Sequence, residues 1–189
     1  MAELFLQISV SLDGFIEDRA GDLSWFTEDT SLDELATETL ESIDGMIFGR
    51  RAHAALAAFW PTAADDEAAS VQLMEQTVLM NTLPKYVLTH GEEETGWSNS
   101  YAIRLHDIPR IMSEAQRPIA LFAGASAAQA AMDRGFIDEI RLIQYPVILG
   151  AGTPLFQHDG KRRDLELIDC QRYDSGAIVQ RYRFKDRTS

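Results

Sequence analysis

Apolar residues recur along the chain with two spacings, and these spacings predict an alternation of strands and helices. Short apolar runs are typical of buried strands, whereas apolar residues every three to four positions are typical of helices that pack on one face. The predicted strands are Leu4–Leu12, Gly45–Phe48, Lys85–Thr89, Tyr101–Leu105, Ile119–Phe122, Glu139–Ile148, Leu165–Tyr173 and Ala177–Phe184. The predicted helices are Ser31–Ile43, Ala52–Ala58, Asp65–Met80, Asp107–Ala115 and Gly124–Arg134.

Cap and turn residues support this order of elements. Ser31 with Glu34 three residues later predicts a capping box at the start of the first helix. Gly135 predicts the end of the last helix, and Asp174–Gly176 predicts the turn of a terminal hairpin. The order predicts an α/β fold with a mainly parallel central sheet and an antiparallel C-terminal hairpin. A single domain over residues 1–189 is the simplest account.

The charge balance excludes several classes of protein. The chain has 17 basic and 30 acidic residues, a net charge of −13, which argues against a nucleic-acid partner. It shows no signal-peptide pattern and no apolar run near the roughly 20 residues that span a bilayer. We therefore expect a cytoplasmic protein without a membrane partner. The one cysteine, Cys170, fits a reducing compartment, and we expect it to be buried and structural.

Two strand-to-helix junctions carry the candidate chemistry. At Phe48–Arg51, a glycine and two arginines follow a buried strand, and at Phe122–Ser126 small residues connect the next such pair. Backbone N–H groups at a helix start favour anions, and a guanidinium can hold a phosphate. The alternative is that the glycines make only tight turns and the arginines are surface charges. Two such junctions at one sheet edge favour a nucleotide site.

Carboxylates supply candidate acids, but no metal site is predicted. Asp13 follows the first strand at the same sheet edge, and Asp33 lies in the first turn of the first helix. Each is a candidate proton donor or orienting group, and each is alternatively a cap, a turn former or a solvated charge. The four histidines are dispersed without the spacing of a metal site.

Several segments together resemble a known family. SLDGFIED at Ser11–Asp18, IDGMIFGRRA at Ile43–Ala52, LFAGASAAQAAMDRGFIDEIRL at Leu121–Leu142 and YPVILGAGTPLF at Tyr145–Phe156 are similar to the dihydrofolate reductase-like superfamily. The resemblance is closest to its riboflavin-biosynthesis branch, the C-terminal reductase domain of the bifunctional deaminase-reductase (the RibD C-terminal domain). It implies a three-layer αβα fold and an NADPH-dependent oxidoreductase acting on a pteridine- or pyrimidine-like molecule. The reaction types implied are those of dihydrofolate reductase and 5-amino-6-(5-phosphoribosylamino)uracil reductase.

The resemblance also assigns roles to individual positions. It implies nicotinamide near the first strand and its loop, phosphates at the two junctions, and the adenosine ribose after the third strand. The implied cofactor-binding residues are Val10, Ile16, Gly49, Arg50, Arg51, Leu88, Thr89, His90, Ala123, Gly124, Ala125 and Ser126. The implied catalytic residues are Asp13 and Asp33.

Two departures from the family keep a second function open. Ala52 stands where the family has a threonine, and Ala123 stands where it has a glycine. The alternative is a nucleotide-binding protein of the same fold that has lost catalysis. We also expect a homodimer, because the terminal strands are apolar enough to pair with a second copy.

Overall fold

The predicted strands form an eight-stranded sheet around which all the helices pack. A computed structural model describes residues 1–27, 29–65, 68–91, 96–157 and 160–185. The strand order is β5-β4-β3-β6-β1-β7-β10-β9, and β10 runs antiparallel to both of its neighbours while the other pairs are parallel. These strands are β1 Leu4–Val10, β3 Gly45–Gly49, β4 Lys85–Leu88, β5 Ser100–Ile103, β6 Ile119–Phe122, β7 Glu139–Gln144, β9 Leu165–Arg172 and β10 Ile178–Phe184. The predicted α/β class with its C-terminal hairpin is confirmed.

Helices cover both faces of the sheet, which makes three layers. The helices are α1 Thr30–Glu41, α2 Arg50–Ala57, α3 Val71–Thr82, α4 Ile108–Glu114 and α5 Ala125–Asp133. Side chains alternate across each strand, so Leu4 and Leu6 pack with α4 and α5, while Phe5 packs with α1 and α3 on the other face. Short 3-10 turns at Trp60–Thr62 and Leu105–Asp107 lead out of α2 and into α4.

A second, two-stranded sheet was not predicted from the sequence. It pairs β2 Phe15–Asp18 with β8 Gly152–Pro154 in antiparallel orientation. Neither segment is among the strands predicted from the sequence. The first predicted strand was too long at its end, since the N–H of Ser11 already donates to the carbonyl of Phe15 and turns the chain into β2.

The predicted capping box of α1 is wrong. Asp29 is the N-cap, and its carboxylate accepts from the N–H of Ser31 at 2.9 Å and of Leu32 at 3.4 Å. The other oxygen of Asp29 accepts from the N–H of Ser175 at 2.9 Å, in the turn of the β9–β10 hairpin. An upstream carboxylate therefore starts the helix and ties it to the end of the chain.

Other boundaries moved for local reasons. Ser70 caps α3 through Leu73, so the predicted Asp65–Met80 helix starts late; residues 66 and 67 lie outside the described chain. The strand β7 ends at Gln144, before the Tyr145–Pro146 segment leaves the sheet. The carboxylate of Asp107 accepts from the N–H of Arg104 and does not cap α4, which begins at Ile108.

Cys170 is exposed, which contradicts the expectation of a buried thiol. It lies on β9, the strand at one edge of the main sheet. Seven of the eight residues of β9 are exposed. The apolar pattern of this segment therefore does not reflect burial within the chain.

Candidate functional site

Strand register brings the two junctions to one edge of the sheet. Phe48 at the end of β3 pairs with Phe122 at the end of β6, and Gly49 pairs with Leu88 at the end of β4. The chain then turns into α2 from β3 and into α5 from β6. Because these strands are parallel neighbours, the residues that follow them lie side by side, as ligand sites in open α/β sheets do.

The first turns of α2 and α5 lie next to each other, and both helices begin after a glycine. Gly49 and Gly124 are their N-caps, and among the described residues neither helix start receives a side-chain cap. A Cβ built on Gly49 would lie 3.7 Å from the Cβ of Ala127 in the first turn of α5. Two sets of N–H groups that lack helical partners thus converge, which is the arrangement that binds phosphate.

Ala123 fits this junction without backbone strain. Gly124 has φ −66°, and Asn99 is the one non-glycine residue in the described chain with a left-handed φ. The family glycine at position 123 is therefore not required here by backbone conformation. The Ala123 side chain is buried in the core beneath the turn.

Arginines surround the junctions. Arg51 is 86% exposed at its side chain and reaches Glu17 of β2 at 3.6 Å. Glu17 is fixed in turn by the hydroxyl of Thr153 in β8, which donates to it at 2.7 Å. Arg104, which the sequence could not place, donates to the carbonyl of Thr89 at 3.2 Å, after β4.

The remaining predicted cofactor residues divide into two groups. Leu88 ends β4, where it pairs with Gly49 at the start of α2, and Thr89 and His90 follow it. Thr89 is buried, and its hydroxyl accepts from the N–H of Gly91 at 3.1 Å. Val10 and Ile16 are buried in the core cluster, so only their backbone borders this edge.

Asp13 ties two loops together at the same edge. Its carboxylate accepts from the hydroxyl of Ser11 at 2.7 Å and from the N–H groups of Leu149 at 3.1 Å and Gly150 at 2.8 Å. These hydrogen bonds, the one from Ser11 first, lower the pKa of Asp13. The group is therefore a carboxylate at neutral pH, and it joins the loop after β1 to the loop after β7.

An aromatic group lies between the end of β7 and the start of α1. Tyr145 stacks on Phe26 with ring centres 5.3 Å apart, and Trp25 meets Tyr145 edge-on at 5.7 Å. Burial raises the pKa of Tyr145, a side-chain hydrogen bond with Ser9 opposes this rise, and the charges of Asp29 and Asp33 add to it. Sequence patterns did not single out Tyr145, because its neighbours come from distant segments.

Asp33 lies in the exposed first turn of α1. Its backbone carbonyl accepts from the side-chain amide of Gln76 at 2.9 Å, which joins α3 to α1. The same amide lies 2.9 Å from the hydroxyl of Thr37. Trp60 packs against the core cluster that includes Phe48 and Met80.

Two cavities open near these elements. One, of about 420 Å³, lies between the end of α2 and the start of α3 and is lined by Phe59, Ala63, Ala69 and Leu73 among others. The second, of about 400 Å³, is lined by Asp18, Arg19 and residues 149–151 of the loop that Asp13 holds. Within the described ranges, no group of three or more histidine, cysteine or acidic side chains is arranged to hold a metal ion.

Comparison with known sequences finds a match over nearly the whole chain. The sequence model of the RibD C-terminal domain matches residues 2–179. An uncharacterized protein of Bacillus subtilis, YyaP, is 28% identical over 180 residues, which cover 93% of this chain and 91% of that protein.

Comparison with solved structures shows the same fold in proteins of low identity. A putative riboflavin biosynthesis protein from Shewanella sp. PV-4 superposes with a TM-score of 0.68 at 21% identity, over 98% of this chain and 99% of that one. Dihydrofolate reductase from Enterococcus faecalis, complexed with NADP(H) and RAB-propyl, superposes with a TM-score of 0.64 at 10% identity, over 97% of both chains. The dihydrofolate reductase-like three-layer fold is therefore confirmed. None of the helices in the described part of the chain is long and apolar enough to cross a membrane.

Proposed function

The chain belongs to the RibD C-terminal domain family, and we propose that it is an NADPH-dependent reductase that delivers hydride to a pteridine- or pyrimidine-like small molecule. The observation that carries this proposal is the pair of adjacent helix starts at Gly49 and Gly124, neither of which receives a side-chain cap among the described residues, with Arg50 and Arg51 opening α2. We further propose that it works in the cytoplasm.

The residues fit the phosphates of a dinucleotide. The N–H groups that open α2 and α5 suit the pyrophosphate, and Gly124 leaves open space where a Cβ would otherwise project. Arg50 and Arg51 suit the additional phosphate that distinguishes NADPH from NADH, because a guanidinium binds phosphate bidentately. Arg104, beside Thr89, adds a third cation on that side.

NADPH, when bound, supplies the hydride; the protein supplies position and electrostatics. Asp13 holds the loop after β1 against the loop after β7. We propose that this contact fixes the position of both loops relative to the nicotinamide site that the family implies. Asp33 is the proposed source of the proton that accompanies the hydride. Tyr145, bonded to Ser9, carries a hydroxyl between β1 and the start of α1.

The alternative function is a nucleotide-binding protein without catalysis. Ala52 is the feature that favours it, because a methyl group replaces the hydroxyl that the family presents to phosphate. Ala123 no longer supports it, since the junction shows no backbone strain. The two functions differ in whether a cofactor that binds is also oxidised by a substrate.

Titration with NADPH and NADH, followed by tryptophan fluorescence, tests the proposal. We expect NADPH to bind at least about tenfold more tightly than NADH, equivalent to about 1.4 kcal/mol. Arg50→Ala and Arg51→Ala should each remove most of that preference and leave NADH binding nearly unchanged. Arg110→Ala, which removes an exposed arginine paired with Glu114 on α4, is the matched control. Equal binding of the two cofactors, or no binding of either at about 1 mM, contradicts the proposal.

A further inference from the structure

The two-stranded sheet and its turn form a separate arm at the carboxyl edge of the main sheet. This arm, the β2–β8 arm, comprises residues 15–22 and 152–154. Its turn is closed by Asp18, whose carboxylate accepts from the N–H of Ala20 at 2.7 Å and from that of Asp22 at 2.8 Å. These hydrogen bonds fix the segment that follows β2.

The β2–β8 arm contacts the first turn of α2 at Arg51. The guanidinium of Arg51 lies 3.6 Å from the carboxylate of Glu17. A Cβ built on Gly21, in the turn of the arm, would lie 3.6 Å from the same guanidinium and 3.8 Å from the carboxylate. The arm follows β1 and α2 follows β3, and β6 lies between these two strands in the sheet. The contact therefore spans the end of β6, where α5 begins.

The two members of this ion pair differ in how firmly they are held. One carboxylate oxygen of Glu17 accepts from the hydroxyl of Thr153 at 2.7 Å, and the side chain is only 20% exposed. The Arg51 side chain is 86% exposed, so most of its donors face water. Exposed ion pairs are weak, and a guanidinium binds phosphate well. A phosphate at the start of α2 can therefore compete for Arg51, whereas Glu17 stays in place.

The charge of Glu17 opposes any phosphate that binds Arg51. A phosphate that takes the guanidinium away breaks the ion pair with Glu17. A phosphate that shares the guanidinium lies close to a second anion and is repelled by it. NADH has a hydroxyl in place of the additional phosphate of NADPH, so it does not meet this cost. Glu17 therefore acts on NADPH and not on NADH.

We propose that Glu17 is a specificity-determining residue, which limits the preference for NADPH over NADH by competing for Arg51. This inference rests on the proposed function, because it requires that Arg51 binds the phosphate that distinguishes the two cofactors. Arg50 and Arg51 create the preference, and Glu17 sets how strong it is.

Glu17→Gln tests this inference, because it removes the charge and keeps an oxygen that can accept from Thr153. In low-salt buffer we expect NADPH to bind roughly two- to fivefold more tightly than to wild type, and NADH to change by less than about twofold. Fluorescence titration measures both affinities. Loss of a purely structural contact would not strengthen binding. Unchanged or weaker NADPH binding overturns the inference.

Two further variants complete this comparison. Glu114→Gln removes the carboxylate of another exposed ion pair, 3.1 Å from Arg110 on α4, and as the matched control should change neither affinity. Glu17→Asp keeps the charge but withdraws it from Arg51 by one methylene group. It should give a smaller gain in NADPH affinity, and it replaces Glu17→Gln as the test if that variant does not fold. A loss of NADPH affinity in Glu17→Asp overturns the inference.

The same substitution in the Arg51→Ala protein shows whether Glu17 acts through Arg51. There Glu17→Gln should change NADPH affinity by less than about twofold, because the cation for which the two anions compete is gone. A gain as large as in the wild-type background overturns the inference. With Arg51 present, the gain should shrink at about 0.5 M sodium chloride, because salt screens exposed charges.

The titrations also separate this inference from the proposed function. If neither wild type nor Glu17→Gln binds NADPH at about 1 mM, the proposed function fails, and this inference fails with it. If wild type prefers NADPH and Arg51→Ala removes that preference, the cofactor assignment stands. An unchanged preference in Glu17→Gln then overturns the role of Glu17 alone.

Discussion

Lys85 is a charged side chain with no exposed surface, at the first position of β4. Its ammonium donates to the carbonyls of Met80 and Leu83, which close the C-terminal end of α3, and it lies 4.6 Å from the ring centre of Trp97. A cation at a helix C-terminus is electrostatically favourable. Burial nevertheless lowers the pKa of Lys85 to about 8, because removing the ammonium from water disfavours its charged form.

The lowered pKa of Lys85 predicts a specific pH dependence of stability. Between about pH 8 and 10.5 the unfolded chain holds a proton that the folded protein has lost, so the free energy of unfolding rises with pH in that window. Relative to Lys85→Met, the wild type should gain up to about 3 kcal/mol between pH 7 and pH 10. Urea unfolding at both pH values measures it. Lys185→Met, at an exposed position, controls for the loss of one positive charge; a constant difference between wild type and Lys85→Met contradicts the prediction.

Asp13 offers a test of loop positioning. Asp13→Asn keeps the shape of the side chain but presents an amide to the N–H groups of Leu149 and Gly150. We expect NADPH affinity to fall several-fold while the thermal unfolding midpoint changes little, because the group is at the surface. Asp22→Asn removes a comparable carboxylate whose partners, Leu23 and Ser24, are its own neighbours in the chain, and it should leave NADPH affinity unchanged. Unchanged affinity in Asp13→Asn indicates that the loop tie does not position the cofactor.

Among the elements, the sequence predicted best where apolar periodicity and burial coincide. The strand at Ile119–Phe122 has its predicted bounds because it lies in the middle of the sheet, between β3 and β1, and is buried on both faces. The strands β2 and β8 were missed, since each is four residues or fewer and pairs only with the other. The start of α1 was misplaced because Asp29 gains a second partner, Ser175, from a segment far along the chain.

The same distinction holds for the candidate site. Gly49 and Gly124 were predictable, because a glycine after a buried strand marks a junction within a few residues of sequence. Arg104 and Tyr145 were not, because their partners Thr89 and Ser9 come close to them only after the sheet has formed. Local spacing thus indicates where an anion can bind, whereas the third cation and the aromatic group depend on tertiary register.

The small sheet can be disrupted at one glycine. A Cβ on Gly152 of β8 would overlap the backbone carbonyl oxygen of Glu17 in β2. Gly152→Ala should therefore separate β2 from β8, lower the free energy of unfolding by about 1–3 kcal/mol and release Thr153 from Glu17. Chemical unfolding measures the loss of stability. Gly91→Ala, where a Cβ meets nothing within 4 Å, is the matched control. Equal stability of the two variants contradicts the assigned pairing.

For the whole molecule, the β9 edge of the main sheet is the surface where we expect a second copy to pair. The strand β9 has unpaired backbone groups on one side and exposes Leu167 to 53% and Ile168 to 38%. Exposed apolar edge strands are prone to pair with further strands. We propose that two copies pair β9 to β9 around a two-fold axis and so form a homodimer.

Light scattering tests the dimer. The wild type at micromolar concentration should have twice the chain mass of 21.1 kDa. Leu167→Lys combined with Ile168→Lys should shift it toward a single chain. Tyr101→Lys, which changes an equally exposed apolar residue on β5 at the opposite edge, should leave the mass unchanged. A monomeric wild type, or a dimer lost only in Tyr101→Lys, shows that β9 is not the interface.

The uncapped starts of α2 and α5 also affect how the protein should be handled. In the free protein their N–H groups are hydrated, so any small oxyanion in the buffer competes for the position proposed for the cofactor phosphates. Phosphate or sulfate buffers would raise the apparent melting temperature and, by competition, weaken the apparent affinity for NADPH. An amine-based buffer with chloride as the only anion therefore gives the intrinsic affinity, and the difference between buffers reports how strongly the two helix starts attract an anion.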